Sequence, residues 1–213
     1  MKLIQYISIL SLFISSLSAG INVLGNIVNG KTPIKNAVLW IEIAGHKAKR
    51  KPRIEKMLQR GKEFFPKVMA APVNTEVWFP NEDPIFHNIF SYNKVKKLDL
   101  GQYKGSGHPV VFEKSGVYPI GCEIHPWMSA YIIIVDTEFF AKSNFGGKFT
   151  LKNLKPGIHT LNIWSPELKK QISREVDLKN GINHLSISIE PSEMKKKRKK
   201  RKKKKKQSNY GSY

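Results

Sequence analysis

The stretch GCEIHPWM, residues 121 to 128, places three metal-ligating side-chain types at equal steps. Cys122 is the single cysteine of the chain, His125 follows three residues later, and Met128 follows three residues after that. A thiolate, two imidazoles and a more distant thioether form a trigonal ligand set that suits copper cycling between Cu(I) and Cu(II). The stretch therefore predicts three of the four ligands of such a site, and one further histidine must come from elsewhere in the chain.

The segment FPNEDPIFHNIFS, residues 79 to 91, supplies that histidine. His87 lies in a β-rich run between Phe86 and Ile89, so a strand beside the cysteine strand would bring its ring to the site. Asn88 follows at once and is predicted to hydrogen-bond across to the cysteine loop, which would hold the sulfur in place.

Other chemistries fit these residues less well. A lone cysteine is usually a small core residue, and a lone histidine or methionine more often packs than binds a metal. Structural zinc uses four strong nitrogen or sulfur ligands, which a methionine is not. A c-type haem would need Cys-x-x-Cys-His, and a dinuclear copper centre would need a second cysteine. The sequence contains neither, and it has no His-x-His pair or Ser/His/Asp arrangement that would indicate an enzyme.

Strand and turn signals dominate the elements that must position these ligands, so the sequence predicts an all-β fold. Twelve strands are expected, at Val23 to Val28, Ala37 to Ile43, Phe64 to Ala71, Glu76 to Phe79, Phe86 to Ser91, Val110 to Glu113, Val117 to Cys122, Tyr131 to Val135, Phe139 to Lys142, Lys148 to Leu151, His159 to Trp164 and His184 to Ile189. The exception is the basic stretch from His46 to Lys62, where Ile54, Met57 and Leu58 are spaced for a short amphipathic helix after Pro52. A mobile linker is the alternative there.

Two separated segments resemble one β-sandwich. GNIVNGKTPIKNAVLWIEI and NFGGKFTLKNLKPGIHTLNIW are similar to the opening and the later strands of carboxypeptidase regulatory-like, or transthyretin-like, domains. About a hundred residues separate them, so the prediction is a split sandwich made of residues 21–46 and 136–190, with a second domain at residues 52–135 inserted into it. Insertion into a loop is tolerated where the ends of the inserted domain lie close together.

The inserted segment resembles the cupredoxins, the type 1 blue copper proteins. Its Cys-x-x-His-Pro-x-Met loop is similar to that of amicyanin, and the wider layout is similar to that of plastocyanin-like methylamine utilization proteins. The resemblance implies a Greek-key β-sandwich with one copper ion, equatorial ligands His87, Cys122 and His125, and axial ligand Met128. It also implies an electron carrier, not an enzyme, whose electrons leave by the edge of His125 through an apolar patch around Pro84, Ile85, Pro126 and Trp127.

The two ends of the chain carry different signals. Residues 1–20 have one lysine, an apolar stretch and a small-residue ending, which is the layout of a secretory signal peptide; an uncleaved anchor is the alternative. Export to the periplasm or the medium is therefore expected. Twelve of the 37 lysines and arginines form one run, KKKRKKRKKKKK, at residues 195–206. Residues 191–213 are predicted to be a disordered basic tail, which either has no partner or binds an anionic membrane or another polyanion without sequence-specific recognition of nucleic acid.

Two other functions remain open beside electron transfer between unidentified redox proteins. One is a periplasmic copper carrier or storage module, and the other is a surface-attached structural protein. The remaining histidines, His46, His108, His159 and His184, are interpreted as structural or solvated.

Overall fold

The structure is a computed structural model, and it describes residues 20–43, 53–93 and 95–196. Within these ranges the chain forms eighteen β-strands, one 3₁₀ turn at Pro191–Glu193 and no α-helix. The strands are β1 (Ile21–Asn29), β2 (Thr32–Pro33), β3 (Val38–Ile41), β4 (Arg53–Lys56), β5 (Leu58–Arg60), β6 (Glu63–Phe65), β7 (Val68–Pro72), β8 (Thr75–Trp78), β9 (His87–Tyr92), β10 (Lys97–Tyr103), β11 (Pro109–Phe112), β12 (Gly116–Gly121), β13 (Ser129–Val135), β14 (Phe140–Lys142), β15 (Lys148–Leu154), β16 (Gly157–Trp164), β17 (Ile172–Leu178) and β18 (Ile182–Ser188). The predicted all-β fold is confirmed.

Strands β4 to β13 pair only among themselves. One sheet has the order β10-β9-β12-β13-β7, a second has the order β11-β8-β4, and β5 and β6 form a hairpin. Their buried side chains make one core cluster that extends from Met57 to Ile134 and includes Cys122 and Met128. Burial alternates along the strands, as in β11, where Val110 and Phe112 are buried and their neighbours are exposed, because successive side chains point to opposite faces.

The strands on either side of this segment pair with each other. β1 lies between β15 and β18 and also carries β2, while β14, β3, β16 and β17 form a second sheet in that order. β1 runs antiparallel to β15 and parallel to β18. A separate core cluster, drawn from residues 21–41 and 139–189, lies between these sheets. The assignment of this part to a transthyretin-like family, and the domain boundaries themselves, stay predictions.

A third apolar cluster joins the two groups of sheets. We call it the seam; it consists of six buried side chains, Val38, Trp40, Val68, Ile133, Val135 and Trp164. Lys142 of β14 also reaches across, with its Nζ donating to the Val68 carbonyl at 2.8 Å. Burial lowers the pKa of Lys142, because the charged ammonium loses hydration there.

The helix predicted after Pro52 is wrong. β4 and β5 occupy this region, and β4 pairs in parallel with β8. Met57 and Gln59, two residues apart, are fully buried, whereas Ile54 is 66% exposed. The apolar residues that suggested a helix therefore do not share one face, and the burial period is that of a strand.

Each of the twelve predicted strands overlaps an observed one, and one of them is divided in two. Besides β4 and β5, the short β2 and the longer β10 and β17 have no predicted counterpart. The predicted strand Phe64 to Ala71 is divided between β6 and β7 around Pro66, which has no N–H for a ladder hydrogen bond. β10 was not predicted, because it lacks a regular strand pattern. Gly101 lies inside it with a φ of 64°, and its pairing with β9 shifts register there. β17 was not predicted either, because Arg174 interrupts the apolar face formed by Ile172, Val176 and Leu178 on this edge strand.

The two ends of the chain are only partly described. The signal peptide predicted for residues 1–20 lies outside the described residues except for Gly20, as do His46 and residues 197–213. Residues 191–195, expected at the start of the basic tail, make defined contacts: Lys169 N donates to Glu193 O at 2.9 Å, and Lys195 N donates to Glu167 O at 2.8 Å. No helix in the described ranges has the length and apolar character needed to cross a membrane.

Candidate metal centre

The cysteine loop connects two neighbouring antiparallel strands. β12 ends at Gly121, Cys122 follows directly, and β13 begins at Ser129. The loop between them is closed by a hydrogen bond from Met128 N to His125 O at 2.8 Å. Cys122 and Met128 are buried, with 2% and 1% of their surface exposed, while His125 is partly exposed. The loop thus turns one imidazole toward the surface and keeps both sulfur atoms inside.

Three of the predicted ligands converge. The Nδ1 atoms of His87 and His125 lie 3.0 Å apart, and Cys122 Sγ lies 3.9 Å from His125 Nδ1. The ligand atoms of all three residues are within 4.8 Å of one another. Met128 belongs to the same core cluster as Cys122, but its role as the fourth ligand stays a prediction. The structure therefore brings together one thiol and one ring nitrogen from the loop between β12 and β13 and a second ring nitrogen from β9 of the same sheet.

β9 positions His87 and Asn88. The side chain of His87 is fully buried at the start of this strand, and its ring meets the His125 ring edge to face, with centroids 4.8 Å apart. Asn88 accepts a hydrogen bond from Glu123 N at 2.8 Å and donates to Glu123 Oε2 at 3.3 Å. These two hydrogen bonds connect β9 to the residue after the cysteine and so hold the loop in place beside β9.

A carboxylate contacts the far side of the His87 ring. Asp83 Oδ2 is 2.8 Å from His87 Nε2. The same carboxylate accepts hydrogen bonds from Gly61 N at 2.6 Å and from Lys62 N at 2.8 Å. Burial by itself would raise the pKa of Asp83, but hydrogen bonds from the Lys62 amide, the His87 ring and the Gly61 amide outweigh it and lower the pKa.

Sequence reasoning missed Asp83 and the turn that holds it. Gly61 and Lys62 both have positive φ, 61° and 58°, and join β5 to β6 as a two-residue hairpin loop. The signal was present in the RGK triplet between Leu58 and Phe64, since a glycine-containing pair between apolar runs indicates a hairpin. The helical interpretation of residues 46–62 concealed this turn.

The electrostatic setting of His125 favours its neutral form. Its pKa is lowered, first by burial and then by the nearby charges of His87 and Lys62, while Asp83 acts in the opposite direction. A neutral imidazole is the form that binds a metal. The donor set, one thiol and two imidazole nitrogens with a buried thioether in the same core cluster as the thiol, fits a thiophilic ion such as copper.

Exposed apolar side chains surround the outer edge of His125. Trp127 is 63% exposed, Phe86 53% and Ile124 41%, and the Trp127 ring packs edge to face on His125 at 5.3 Å between centroids. Pro84 and Pro126 are exposed, and Ile85 is half-buried. Lys104 Nζ lies over the Phe86 ring at 4.5 Å from its centroid.

The other described histidines lie in different surroundings. His108 packs edge to face on Tyr103, His159 Nε2 is 2.8 Å from Lys155 O, and His184 lines a groove with Leu24 and Phe149 on the β1 sheet. None of the three joins the His87, Cys122 and His125 group.

Among known proteins, only solved structures show similarity to this chain in the three comparisons made. No protein-family model matches the chain, and a comparison with curated proteins finds no match. A copper-containing nitrite reductase from Thermus scotoductus SA-01 is similar over 45% of this chain at 26% identity and a TM-score of 0.37, and the match covers 25% of that protein. A novel purple cupredoxin from Nitrosopumilus maritimus matches 38% of this chain and 99% of its own at 24% identity and a TM-score of 0.35. An amicyanin variant with Cu(I) matches 38% and 82%, at 16% identity and a TM-score of 0.37.

Proposed function

We propose that this chain binds one copper ion through His87, Cys122, His125 and Met128 and carries single electrons between redox proteins. The observation that supports the proposal is the convergence of the Cys122 thiol with the Nδ1 atoms of His87 and His125, all within 4.8 Å. A bound copper would supply one-electron chemistry by cycling between Cu(I) and Cu(II).

Each residue has a separate task in this proposal. Cys122 supplies the thiolate, and its burial keeps the sulfur away from other thiols and oxidants. His87 supplies a nitrogen from the interior, and His125 supplies one at the surface, beside the exposed Trp127. Asn88 holds the loop through the Glu123 amide. The partly exposed ring of His125 is then the shortest route between the site and a partner docked on the apolar patch.

Absorption and EPR spectroscopy of the protein loaded with Cu(II) test this assignment. We expect an intense visible band from thiolate-to-copper charge transfer, lost in Cys122→Ser and retained in His159→Asn, which changes a histidine outside the site. The electron-carrier role also requires reversible reduction without release of the metal. A colourless Cu(II) complex of the wild type would rule out the type 1 assignment, and loss of copper at each reduction would instead favour a copper carrier or storage protein.

We propose that the protein works outside the cytoplasm, in the periplasm or secreted. The apolar segment that begins the chain supports this location, and so does the use of a single cysteine, since a metal-bound thiol is protected in an oxidising compartment. Fractionation of cells that express the full chain, followed by mass analysis of the N-terminus, tests both location and cleavage. Recovery of an uncleaved chain in the cytoplasm would contradict the proposal.

We further propose that the basic run of residues 195–206 attaches the protein to anionic membranes. Each basic residue near acidic lipid contributes about 1 kcal/mol, and the attraction weakens as salt rises. The full chain should sediment with vesicles containing phosphatidylserine at low salt and stay in the supernatant at high salt. Deletion of residues 197–213 should abolish binding, and neutral phosphatidylcholine vesicles are the control. Equal binding of both chains would exclude the tail as an anchor.

A further inference from the structure

The buried ring of His87 has a partner on each of its two nitrogen atoms. Nδ1 faces His125 Nδ1 at 3.0 Å, and Nε2 faces Asp83 Oδ2 at 2.8 Å. The side chain of His87 is fully buried, and that of Asp83 is 10% exposed. The contact between the ring and the carboxylate is thus largely shielded from water, where a charge-assisted hydrogen bond is strong.

Asp83 cannot easily turn away from the ring, because backbone groups hold both of its oxygen atoms. Gly61 N donates to Oδ1, and Lys62 N donates to Oδ2, from the turn between β5 and β6. Asp83 N in turn donates to Asn81 Oδ1 at 3.0 Å. A carboxylate that already accepts two backbone N–H groups serves as an acceptor for the third partner as well.

The hairpin that provides this turn is attached to the chain segment directly before Asp83. Gln59 N donates to Pro80 O, and Glu82 N donates to Gln59 O, both at 2.9 Å. The side chains of Arg60 and Glu82 form an exposed ion pair, which adds little to stability, so the attachment rests on the two backbone hydrogen bonds. β5 and β6 therefore act as a clamp on residues 80–83, and the clamp sets the position of the Asp83 carboxylate.

Because Asp83 accepts, the hydrogen of the neutral imidazole must be on Nε2. This tautomer leaves the lone pair of Nδ1 directed toward His125 and Cys122, which is the orientation that a metal ligand needs. A carboxylate on the opposite nitrogen also increases the electron density that the ring can donate.

We propose that Asp83 is a positioning residue that fixes the Nε2–H tautomer of His87 and strengthens its Nδ1 as a donor, so that the site holds Cu(II) in preference to Cu(I). The preference for an oxidation state rests on the proposed copper function, whereas the tautomer does not. A ring held only by an uncharged acceptor would be a weaker donor, and its copper would be easier to reduce.

Asp83→Asn tests the role of the carboxylate, with Glu82→Gln as the matched control. Both changes remove one negative charge, but Glu82 contacts Arg60 and is one residue away from the carboxylate that meets His87. Partners of metal-binding histidines typically contribute 10- to 100-fold to metal affinity. We expect Asp83→Asn to lose roughly this factor for Cu(II), measured by competition with a chelator, and to lose less for Cu(I).

Voltammetry measures the resulting shift in reduction potential. A tenfold selective loss of Cu(II) affinity corresponds to a rise of about 59 mV for a one-electron couple. Asp83→Asn should therefore raise the potential, by about this amount where the loss for Cu(II) exceeds the loss for Cu(I) tenfold, and Asp83→Glu, which keeps the carboxylate, should recover part of the difference. A potential shifted equally in Asp83→Asn and Glu82→Gln would overturn the proposal, because a general charge effect would then account for it.

Nitrogen NMR of the metal-free protein tests the tautomer without copper. The wild type should show protonated Nε2 and unprotonated Nδ1 for His87, and Asp83→Asn should show a mixture or the reverse. A protonated Nδ1 in the wild type would overturn the proposal even where the copper spectra are as expected. Conversely, a protein with the expected tautomer that fails to bind copper would contradict the proposed function alone. If Asp83→Asn does not fold, the reduction potential of Asp83→Glu and the tautomer of His87 in the wild type still test the proposal.

Discussion

Gly121 lies directly before Cys122, where the ring of Phe90 covers the strand. A Cβ atom at residue 121 would lie 2.6 Å from Phe90 Cζ and 2.7 Å from Phe90 Cε1. Residues 121 and 90 are also the pair through which β12 and β9 meet. The missing side chain thus allows the cysteine strand and the histidine strand to approach each other closely.

Gly121→Ala should therefore destabilise the protein by about 1 to 3 kcal/mol, the usual cost of overpacking. Urea unfolding measures this change, and the visible spectrum of the Cu(II) form should shift because the ring must move near Cys122. Gly146→Ala is the control, since a Cβ there meets only Asn144 Oδ1 at 3.5 Å and the backbone does not have positive φ. Equal stability of both variants would show that Phe90 moves aside without strain.

At the residue scale, the sequence predicts the residues that carry distinctive chemistry better than those that support them. Cys122, His125 and Met128 are recognisable by type and spacing, and the structure brings Cys122 and His125 together with His87. Asp83 has no such signature, because one aspartate in a loop of several polar residues is common. Its role depends on a hairpin about twenty residues earlier in the chain, and the residues around Asp83 do not indicate that contact.

At the element scale, β5, β10 and the residue that follows β8 meet at a buried hydrogen-bond network. The Tyr103 hydroxyl accepts a hydrogen bond from Gln59 Nε2 at 2.7 Å and donates one to the Phe79 carbonyl. Gln59 is fully buried and Tyr103 is 8% exposed. Burial raises the pKa of Tyr103, so its hydroxyl stays protonated and available as a donor.

Tyr103→Phe should cost about 1 to 3 kcal/mol, because it leaves buried polar groups with one partner fewer. Thermal and urea unfolding measure the loss. Tyr92→Phe is the matched control: its hydroxyl contacts Glu123 Oε1 at 3.0 Å, but the side chain is 74% exposed, so a change within about 0.5 kcal/mol is expected. A loss in Tyr92→Phe as large as that in Tyr103→Phe would contradict the importance of burial here.

The 3₁₀ turn at Pro191–Glu193 is held against β17 by an ion pair. Arg174 Nη2 lies 2.6 Å from Glu193 Oε1, and Glu193 Oε2 accepts a hydrogen bond from Glu190 N at 3.0 Å. The hydrogen bond from Arg174 lowers the pKa of Glu193, while burial opposes the effect and the Glu190 amide adds to it. Because the pKa is lower in the folded state than in the unfolded state, the ionised carboxylate favours folding.

The stability contributed by Glu193 should be fully present above the unfolded-state pKa and disappear as pH falls through the lower folded-state pKa. Glu193→Gln should thus be less stable than the wild type by roughly 0.5 to 1 kcal/mol at neutral pH, a figure limited by the solvent exposure of Arg174. The difference should shrink as pH falls below the unfolded-state pKa and vanish once the folded-state carboxyl is protonated, as measured by urea unfolding across a pH series. Glu175→Gln, at an exposed position of the same strand, should show no such trend.

The element scale also shows where sequence patterns fail. Strands with a clear alternation, such as β11 and β15, are predictable because one face is buried and the other is exposed. β4 and β5 are short, and their placement depends on β8 and on the loop at Pro80, which lie some twenty residues later in the chain. The helical spacing of Ile54, Met57 and Leu58 therefore does not correspond to a helix.

At the scale of the whole molecule, the seam connects two separate cores. Ile133 lies in it with 1% of its surface exposed, on the strand that follows the cysteine loop. Tyr131 of the same strand packs against the Trp164 ring, with centroids 5.0 Å apart. Burial of apolar surface at the seam should make the two groups of sheets support each other.

Ile133→Ala should destabilise the protein by about 2 to 5 kcal/mol, because it removes buried contacts and leaves a cavity. Ile158→Ala is the matched control, since Ile158 is 68% exposed on β16, and its effect should be within about 0.5 kcal/mol. Unfolding should be followed by copper absorbance and by far-ultraviolet circular dichroism. Equal midpoints for Ile133→Ala and the wild type would show that the seam adds nothing to stability.

The order of strand pairing has a consequence for how the chain is made. β1 leaves the ribosome long before its neighbours β15 and β18, which are not complete until residues 154 and 188. Strands β4 to β13 need nothing beyond Val135 for their own ladders. Domains generally fold as units during synthesis. The sheets that position Cys122, His87 and His125 can therefore form while the chain is still being synthesised, before β15 and β18 are available to pair with β1.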